Sequence, residues 1–261
     1  MEGTFGVCRL SIVSVRKEPQ VLSLQLSQLL FGDHYEVIGV SADKNWIQIR
    51  IYFDQVEGWI PLNQHHTIAP EYFDQINSAD FKITTDVCST ILYKKTPLSI
   101  LMGSIVPISQ SELFKMEEQF AFNGESKSLG QKREFEFLKL IALKYLNAPE
   151  MEGGKTPFGI DGFGLVQMVH RICGYTLGHS LENLQRHGRK VEVESAKPGD
   201  LVFLASLAKG TKSVGFLMEE NKILHVDGRV RLDACVNGNL VDAETKHESH
   251  KVESFRRYLN E

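Results

Sequence analysis

Four cysteines are the first candidates for chemistry, because a thiolate is a strong nucleophile at neutral pH. They stand at positions 8, 88, 173 and 235, far apart and without a C-x-x-C pair. This spacing indicates neither a redox motif nor a zinc site. We expect all four to be free thiols that are buried as small hydrophobic side chains.

Histidine is the side chain best suited to proton transfer near neutral pH. His247 and His250 could share one helical face, but residues 246–251 form a charged stretch with no third ligand nearby, which we interpret as solvated. His170 is interpreted as a surface or hydrogen-bonded core residue. The segment around Gly153 and Gly154 lacks the Lys and Ser/Thr residues of a phosphate-binding loop, so nucleotide binding is not predicted. We therefore expect no metal and no cofactor.

Two helices are predicted in the second half of the chain. Residues 134–146 carry apolar residues at helical spacing. A second helix begins after Asp161, which can cap it, and ends at Gly174. Its predicted buried face consists of Leu165, Met168, Val169, Ile172 and Cys173. Downstream, residues 197–204 predict a turn that leads into a buried strand, and residues 213–218 and 222–226 predict a hairpin.

The first half of the chain has a strand pattern. Short alternating apolar runs over residues 7–62 predict a small, strongly bent β-barrel. A second block, about residues 81–122, includes the strand-like run 100–108 and is interpreted as a degenerate repeat of that barrel. The polar, turn-forming residues 123–128 are the predicted boundary of the C-terminal domain.

Composition excludes several classes of protein. A hydrophobic share of 42% with 24% charged residues argues against disorder, and a net charge of -4 gives no reason to expect a nucleic-acid partner. The first thirty residues contain no basic start followed by an apolar run, so we expect neither a secretory signal nor a membrane span. The expected compartment is the cytoplasm.

Five short motifs follow one another in the second half of the chain: Gly153-Gly154, residues 159–167 (GIDGFGLVQ), residues 198–201 (PGDL), residues 213–215 (SVG) and residues 223–225 (ILH). In this order they resemble the motifs of the NlpC-type cysteine peptidases, papain-like enzymes that cut peptidoglycan stem peptides at γ-D-glutamyl–diamino acid bonds. Residues 15–19, 30–33 and 57–60 are similar to a bacterial SH3-type module. The resemblance implies an α+β fold with SH3-type β-barrels at 1–75 and 76–125 and a papain-like domain at 126–261.

The resemblance also reveals which catalytic groups are missing. The family's helix-opening motif is D-C-S-G, whereas residues 161–164 read Asp-Gly-Phe-Gly, so Gly162 stands where the nucleophile belongs. Ser213 replaces the base histidine of H-V-G, and His225 matches the third polar member. Loss of nucleophile and base together predicts a deficit on the order of a million-fold in turnover. Cys173 lies about 16 Å along the same helix and is no substitute.

The rim of the groove departs from the family as well. Where the family has P-Y-x-W-G-G, residues 149–154 place Glu150 and Glu152 at the aromatic positions. These carboxylates should weaken an acidic ligand. The resemblance implies that Asp161 holds the amino end of the peptide, although Asp161 could instead only cap the helix. Glu57 and Trp59 of the first barrel are candidates to face the same cleft.

Three interpretations of function remain open. The leading one is a catalytically inactive homologue that uses its groove to bind a cell-wall-derived peptide or a protein partner. In the second, Phe163 and its neighbours fill the groove and the protein has a purely structural or interaction role. The third is a cell-wall peptide hydrolase with residual or altered activity, motivated by the surviving Asp161 and His225.

Overall fold

The computed structural model describes residues 2–78, 81–107, 120–177 and 180–259. The chain divides into two compact units, Met1–Gln131 and Lys132–Glu261. Each unit has its own strands and its own hydrophobic core, and each is described by itself below.

The N-terminal unit begins with a seven-stranded antiparallel sheet in the order β3-β2-β6-β5-β4-β1-β7. Its strands are β1 Phe5–Val7, β2 Ile12–Arg16, β3 Gln25–Leu30, β4 His34–Val40, β5 Trp46–Ile51, β6 Glu57–Pro61 and β7 Thr67–Ile68. Alternate residues such as Val13, Val15, Ile47 and Ile49 enter one core, as the period of a strand requires. A register shift between Val37 and Gly39 bends β4. The SH3-like strand region expected from the sequence is confirmed.

Among its described residues, the rest of this unit contains one helix and two small sheets. Helix α1 spans Pro70–Ser78. One sheet joins β10 (Thr96–Leu101), β9 (Cys88–Tyr93) and β12 (Phe120–Asn123), and the other joins β11 (Ile105–Val106), β8 (Lys82–Thr84) and β13 (Ser126–Ser128). The predicted strand 100–108 is interrupted, because Gly103 adopts a φ of +89° and turns the chain between β10 and β11. Residue 108 lies outside the described residues. That this block is a second SH3-type barrel stays a prediction.

The described part of the C-terminal unit contains the two predicted α-helices and a third. These are α2 Phe135–Leu143, α3 Gly162–Ile172 and α4 Leu181–His187. Asp161 caps α3 as expected, and Gly174 follows it with a φ of +83°, the left-handed conformation that suits glycine at a helix end. The predicted apolar face of α3 is buried, and Gln167, His170 and Arg171 are buried as well.

Beside the helices, six strands of the C-terminal unit close into a barrel. The sheet order is β16-β22-β17-β18-β19-β20-β21, and a further pairing of β21 with β22 closes the ring. Its strands are β16 Arg189–Val191, β17 Leu201–Ser206, β18 Lys212–Leu217, β19 Lys222–Asp227, β20 Arg229–Val236, β21 Asn239–Val241 and β22 Glu248–Arg257. A short hairpin of β14 (Lys155–Thr156) and β15 (Gly159–Ile160) precedes α3, which packs against β18 and β19. The expected strand at 201–204 and the β18–β19 hairpin are confirmed.

Candidate functional site

A groove with a volume of about 720 Å³ lies at the N-terminal end of α3, within the C-terminal unit. It is bounded by the segment before α3, by the β17–β18 turn and by the β19–β20 turn. Most of its lining is polar or charged: Glu150, Glu152, Asp161, Ser206, Lys209, Thr211, Lys212, Ser213, Asp227 and His250. Gly162 and Phe163 also line it, so the motif that opens α3 faces an open cleft.

Gly162 and Ser213 face each other directly in this groove. A Cβ atom built on Gly162 would stand 2.6 Å from Ser213 Oγ and 3.1 Å from the Val214 carbonyl oxygen. The two positions that the sequence assigns to the missing nucleophile and the missing base are therefore adjacent. They present a bare backbone and a hydroxyl, and a hydroxyl has no basic nitrogen that could take up a proton near neutral pH.

Asp161 is held by the backbone on both carboxylate oxygens. The amide of Gly164 donates to Oδ1 at 2.6 Å, and the amide of Gly153 donates to Oδ2 at 2.8 Å. Burial raises the pKa of Asp161, although these two hydrogen bonds and the charge of Lys155 oppose the rise. The side chain caps α3 and fixes the preceding loop, and its residue also lines the groove. Both roles weighed from the sequence are compatible with this geometry.

The two rim glutamates lie where the sequence places them, at the groove. Both are exposed, and Glu150 is tied to the β19–β20 turn because the Gly228 amide donates to its Oε2 at 2.8 Å. Glu152 is close enough to Asp161 to raise the pKa of that carboxyl. Phe163 is half-buried in the lining and leaves the groove open.

His225 has a buried acidic partner that the sequence analysis missed. Its Nε2 donates to Asp233 Oδ2 at 2.9 Å, and both side chains are at most 1% exposed. Burial alone would raise the pKa of Asp233, but hydrogen bonds from His225, the Ala243 amide and Arg231 outweigh it and lower the pKa. The Asp227–Gly228 turn was an available signal, because a hairpin about it pairs His225 with Arg231 and brings Asp233 to the same neighbourhood.

Arg231, which is partly buried, extends this pair into a larger charge network. Its guanidinium lies 2.9 Å from Asp233 Oδ2 and 2.7 Å from Asp242 Oδ2. Asp242 in turn accepts the amides of Glu244 and Thr245, both at 2.8 Å, and these contacts lower its pKa. The network fixes the β20–β21 side of the barrel and holds the His225 ring in one orientation.

The interpretation of residues 246–251 as solvated is confirmed for residues 246–248 and 251, which are exposed, and is wrong for His250. His250 belongs to strand β22, is only 6% exposed, and packs its ring against that of His225 with the ring centroids 5.3 Å apart. It also lines the groove. The charged neighbours of His250 do not indicate its exposure, because in a strand the side chains of adjacent residues point to opposite faces. Among the described residues, no three potential metal ligands lie close enough together to hold an ion.

The expectation that all cysteines are buried is also wrong. Cys8 and Cys173 are buried, whereas Cys88 is exposed and Cys235 is half-buried. Exposed and buried residues alternate along β9, and Cys88 is one of the exposed ones, so its side chain faces outward. No cysteine is among the described residues that line the groove, so none replaces the missing nucleophile there.

His170 is the hydrogen-bonded core residue anticipated as one of two options. Its Nδ1 lies 2.9 Å from the Val166 carbonyl oxygen, and its ring stacks on Phe216 with centroids 5.4 Å apart. Burial lowers its pKa to about 4, against the opposing effect of that hydrogen bond. It therefore stays neutral at physiological pH and takes no part in the groove.

Glu57 and Trp59 lie in the N-terminal unit, on β6. Glu57 pairs with Arg50, whose guanidinium nitrogen is 2.7 Å from its carboxylate. Their contribution to the cleft stays a prediction. None of the helices in the described ranges has the length and apolar character that a bilayer-spanning segment requires.

Comparison with known proteins agrees with this architecture. The profile of the NlpC/P60 family matches residues 151–248, and the profile of the bacterial dipeptidyl-peptidase SH3 domain matches residues 15–64. A crystal structure of an NlpC/P60 family protein from Bacillus cereus ATCC 10987 superimposes with a TM-score of 0.76, covering 98% of this chain and 100% of that one. At 16% identity, this likeness concerns the fold.

Two characterised proteins are similar to this chain in sequence. Dipeptidyl-peptidase 6 of Lysinibacillus sphaericus is 21% identical over 257 residues, covering 90% of this chain and 89% of that protein. Gamma-DL-glutamyl hydrolase of Bacillus subtilis (strain 168) is 40% identical over 70 residues, which are 26% of this chain and 17% of the hydrolase. The matched part of this chain thus spans only about a sixth of the length of the gamma-DL-glutamyl hydrolase. These matches place an NlpC/P60 domain at residues 151–248 and a bacterial SH3 domain at residues 15–64, in a chain whose fold is like that of a solved NlpC/P60 family protein.

Proposed function

We propose that this protein is a catalytically inactive NlpC/P60 homologue whose groove binds a cell-wall-derived peptide. The proposal depends on one observation, which is that Gly162 faces Ser213. A Cβ atom built on Gly162 would lie 2.6 Å from Ser213 Oγ. Attack on an amide requires a nucleophile, and its activation requires a base. Neither of these two positions supplies such a group.

An open groove supports binding over a purely structural role. Its volume of about 720 Å³ lies in the range of small-molecule and peptide sites. Phe163 contributes one wall without closing the cleft. Polar groups along the remaining walls offer the orienting contacts that a peptide backbone needs.

Glu150 and Glu152 stand at the rim of the groove, where the family has aromatic residues, and we expect them to change which ligands the groove prefers. Glu150 and Glu152 are exposed at the groove, and Asp161 lies between them and α3. Three carboxyl groups on this side favour a ligand that presents its amino group here. A counter-charge is available at the other side, where Lys209 and Lys212 line the β17–β18 turn.

Calorimetric titration tests the binding half of the proposal. The pure full-length protein is titrated with L-alanyl-D-glutamate, with L-alanyl-γ-D-glutamyl-L-lysine and with a neutral control, L-alanyl-L-alanine. We expect saturable heats with at least one wall peptide and none with the control. Flat heats with every peptide would remove the groove as a peptide site.

A second candidate function is a peptide hydrolase with altered chemistry. The buried His225–Asp233 pair, at 2.9 Å, is the observation that favours it, because a histidine oriented by a carboxylate is a common general base. This candidate predicts lysine release from L-alanyl-γ-D-glutamyl-L-lysine that disappears in His225→Gln. Wild-type protein that releases no lysine rules it out.

Partner and compartment belong to the same proposal. A protein partner could use the groove instead of a peptide, and cross-linking in native cell extract with and without added L-alanyl-D-glutamate distinguishes the two. The cytoplasmic location expected from the sequence is tested by cell fractionation, and recovery with the envelope fraction would contradict it.

A further inference from the structure

The hairpin of strands β2 and β3, in the N-terminal unit, exposes a cluster of large aliphatic side chains. Strand β3 is the outermost strand of its sheet and pairs with β2 on one side. Single exposed leucines scattered over a surface are ordinary, whereas an exposed apolar cluster marks an interaction site. The exposed members within residues 10–26 are Leu10, Ile12, Val21, Leu22, Leu24 and Leu26.

The apex of the hairpin carries the two most exposed of these side chains. A 3.2 Å hydrogen bond from the Ser23 amide to the Gln20 carbonyl closes a turn whose central residues are Val21 and Leu22. Leu22 is 96% exposed and Val21 is 70% exposed. Turn residues are usually Gly, Pro, Asn, Asp or Ser. Two aliphatic side chains here lie outside the protein's own core and are available to an apolar phase beyond the chain.

Hydrogen bonds within the loop hold this apex in place. The Lys17 amide donates to the Leu24 carbonyl at 2.9 Å, and the Glu18 amide donates to Ser23 Oγ at 2.9 Å. The Arg16 guanidinium donates to the Ser23 carbonyl at 3.1 Å. Because the loop is already ordered, little conformational entropy is lost when its apex enters another phase.

Two cations lie directly behind the apolar apex. Arg16 ends β2, and Lys17, the next residue, is exposed. Neither forms an ion pair within the described residues. Glu18 is the one carboxylate of residues 10–26, so this segment has a net charge of +1 in a chain of net charge -4. An apolar projection with cations at its base complements a bilayer with anionic headgroups.

Composition favours a lipid surface over a protein partner. Residues 10–26 contain no aromatic residue and no methionine, which are the apolar residues enriched at protein interfaces. Leucine and valine are under-represented among the residues that dominate binding between proteins. The hydrophobic effect is non-directional, so burial in lipid requires apolar area and no matching shape.

We propose that this hairpin docks the protein onto an anionic lipid bilayer. The apex of Val21 and Leu22 enters the boundary between headgroups and acyl chains, and Arg16 and Lys17 contact lipid phosphates. The surface belongs to the N-terminal unit and is independent of the groove. The contact is peripheral and partly electrostatic, so high salt weakens it and a cytoplasmic protein extracted in high salt still separates from the envelope.

Flotation of the full-length protein with lipid vesicles tests the proposal. One set of vesicles contains phosphatidylglycerol and phosphatidylcholine in equal parts, and the other contains phosphatidylcholine alone. We expect binding to the anionic vesicles and several-fold weaker binding to the neutral ones. Val21→Ser with Leu22→Ser should reduce binding to anionic vesicles by at least about tenfold, because two exposed aliphatic side chains are lost.

The matched control removes one valine and one leucine elsewhere. Val193→Ser with Leu140→Ser changes two exposed residues of the C-terminal unit and should bind vesicles like the wild type. Circular dichroism of each variant verifies that it is folded.

Two single variants separate the electrostatic contact from the apolar one. Lys17→Gln should weaken binding to anionic vesicles about fivefold and leave binding to neutral vesicles unchanged. Leu22→Trp places a fluorophore at the apex, and its emission should be quenched by lipids that carry bromine on their acyl chains. An apex that stays in water would show no such quenching.

Three results would overturn the proposal. Wild-type protein that binds neither kind of vesicle has no lipid-docking surface. Binding that survives in folded Val21→Ser with Leu22→Ser removes the assignment to this hairpin. A dimer in sedimentation velocity that the same double variant abolishes, with no binding to vesicles, identifies a second copy of the chain as the occupant in place of lipid. None of these results bears on the groove, so the proposed function is tested separately.

Discussion

The imidazole of His225 donates a 2.9 Å hydrogen bond to Asp233, and both side chains are buried in the barrel of the C-terminal unit. In a peptidase of this family a polar residue at the position of His225 would orient the catalytic histidine. Here Ser213 stands at the position that the resemblance assigns to that histidine, and the His225–Asp233 pair belongs to a charge network with Arg231 and Asp242.

Removing Asp233 should destabilise the fold strongly. Asp233→Ala leaves His225 and the Arg231 guanidinium buried beside an empty site, and the loss of one partner of a buried ionic pair costs about 3–5 kcal/mol. Chemical denaturation followed by circular dichroism measures the change. Glu192→Ala is the matched control, because it breaks an exposed pair with Lys190 and should cost far less stability than Asp233→Ala. Similar losses in both variants would show that the buried network contributes nothing special.

Stability should fall as the pH drops from 6.5 toward 4, in part through His170. Burial lowers the pKa of His170 from 6.5 to about 4, so in this range the unfolded chain takes up a proton that the folded chain refuses. The contribution lost by pH 4 is on the order of 3 kcal/mol. His170→Phe preserves the stack on Phe216 and removes the titration. Its unfolding free energy should depend less on pH than that of the wild type, and identical pH profiles would contradict this assignment.

The contact between positions 162 and 213 should appear as an energetic coupling. Gly162→Ala forces a Cβ to within 2.6 Å of Ser213 Oγ, and Ser213→Ala removes that oxygen. Alanine at 162 should therefore cost more in the wild type than in the Ser213→Ala background. A double-mutant cycle by urea denaturation should give a coupling between about 0.5 and 3 kcal/mol. Additive changes would mean that the Ser213 hydroxyl rotates away without cost.

Restoring the missing groups should restore some chemistry. Gly162→Cys, Phe163→Ser and Ser213→His together recreate the family motif, and His225 already stands at the position that the resemblance assigns to the orienting residue. We expect the triple variant to release lysine from L-alanyl-γ-D-glutamyl-L-lysine slowly. Adding Glu150→Tyr and Glu152→Trp, which removes the rim carboxylates, should increase the rate. If the variant with all five substitutions folds but has no activity, the groove differs from that of an active peptidase at further positions.

Local sequence signals predicted the parts of the site that local structure builds. The Asp161 cap, the buried face of α3 and the β18–β19 hairpin depend on residues a few positions apart, and all three are present. The packing of α3 against β18 then brings Gly162 and Ser213 to the same groove. Family motifs added the order in which the elements pack.

Distant pairings were the part that sequence reasoning could not supply. His250 reaches the groove because β22 pairs with β17, whose partner residues lie more than forty positions earlier in the chain. Its charged neighbours, such as Lys251, point outward from the same strand. Asp233 was missed for a related reason, since its role depends on the barrel that closes around it.

The central claim is that a groove with Gly162 facing Ser213 cannot cut a peptide. Mass spectrometry of L-alanyl-γ-D-glutamyl-L-lysine, incubated with a stoichiometric amount of the pure protein beside an active NlpC/P60 peptidase as positive control, tests it most directly. We predict no lysine above the level of the protein-free sample, with release only in the positive control. Lysine release by the wild-type protein that is lost in His225→Gln would contradict the claim.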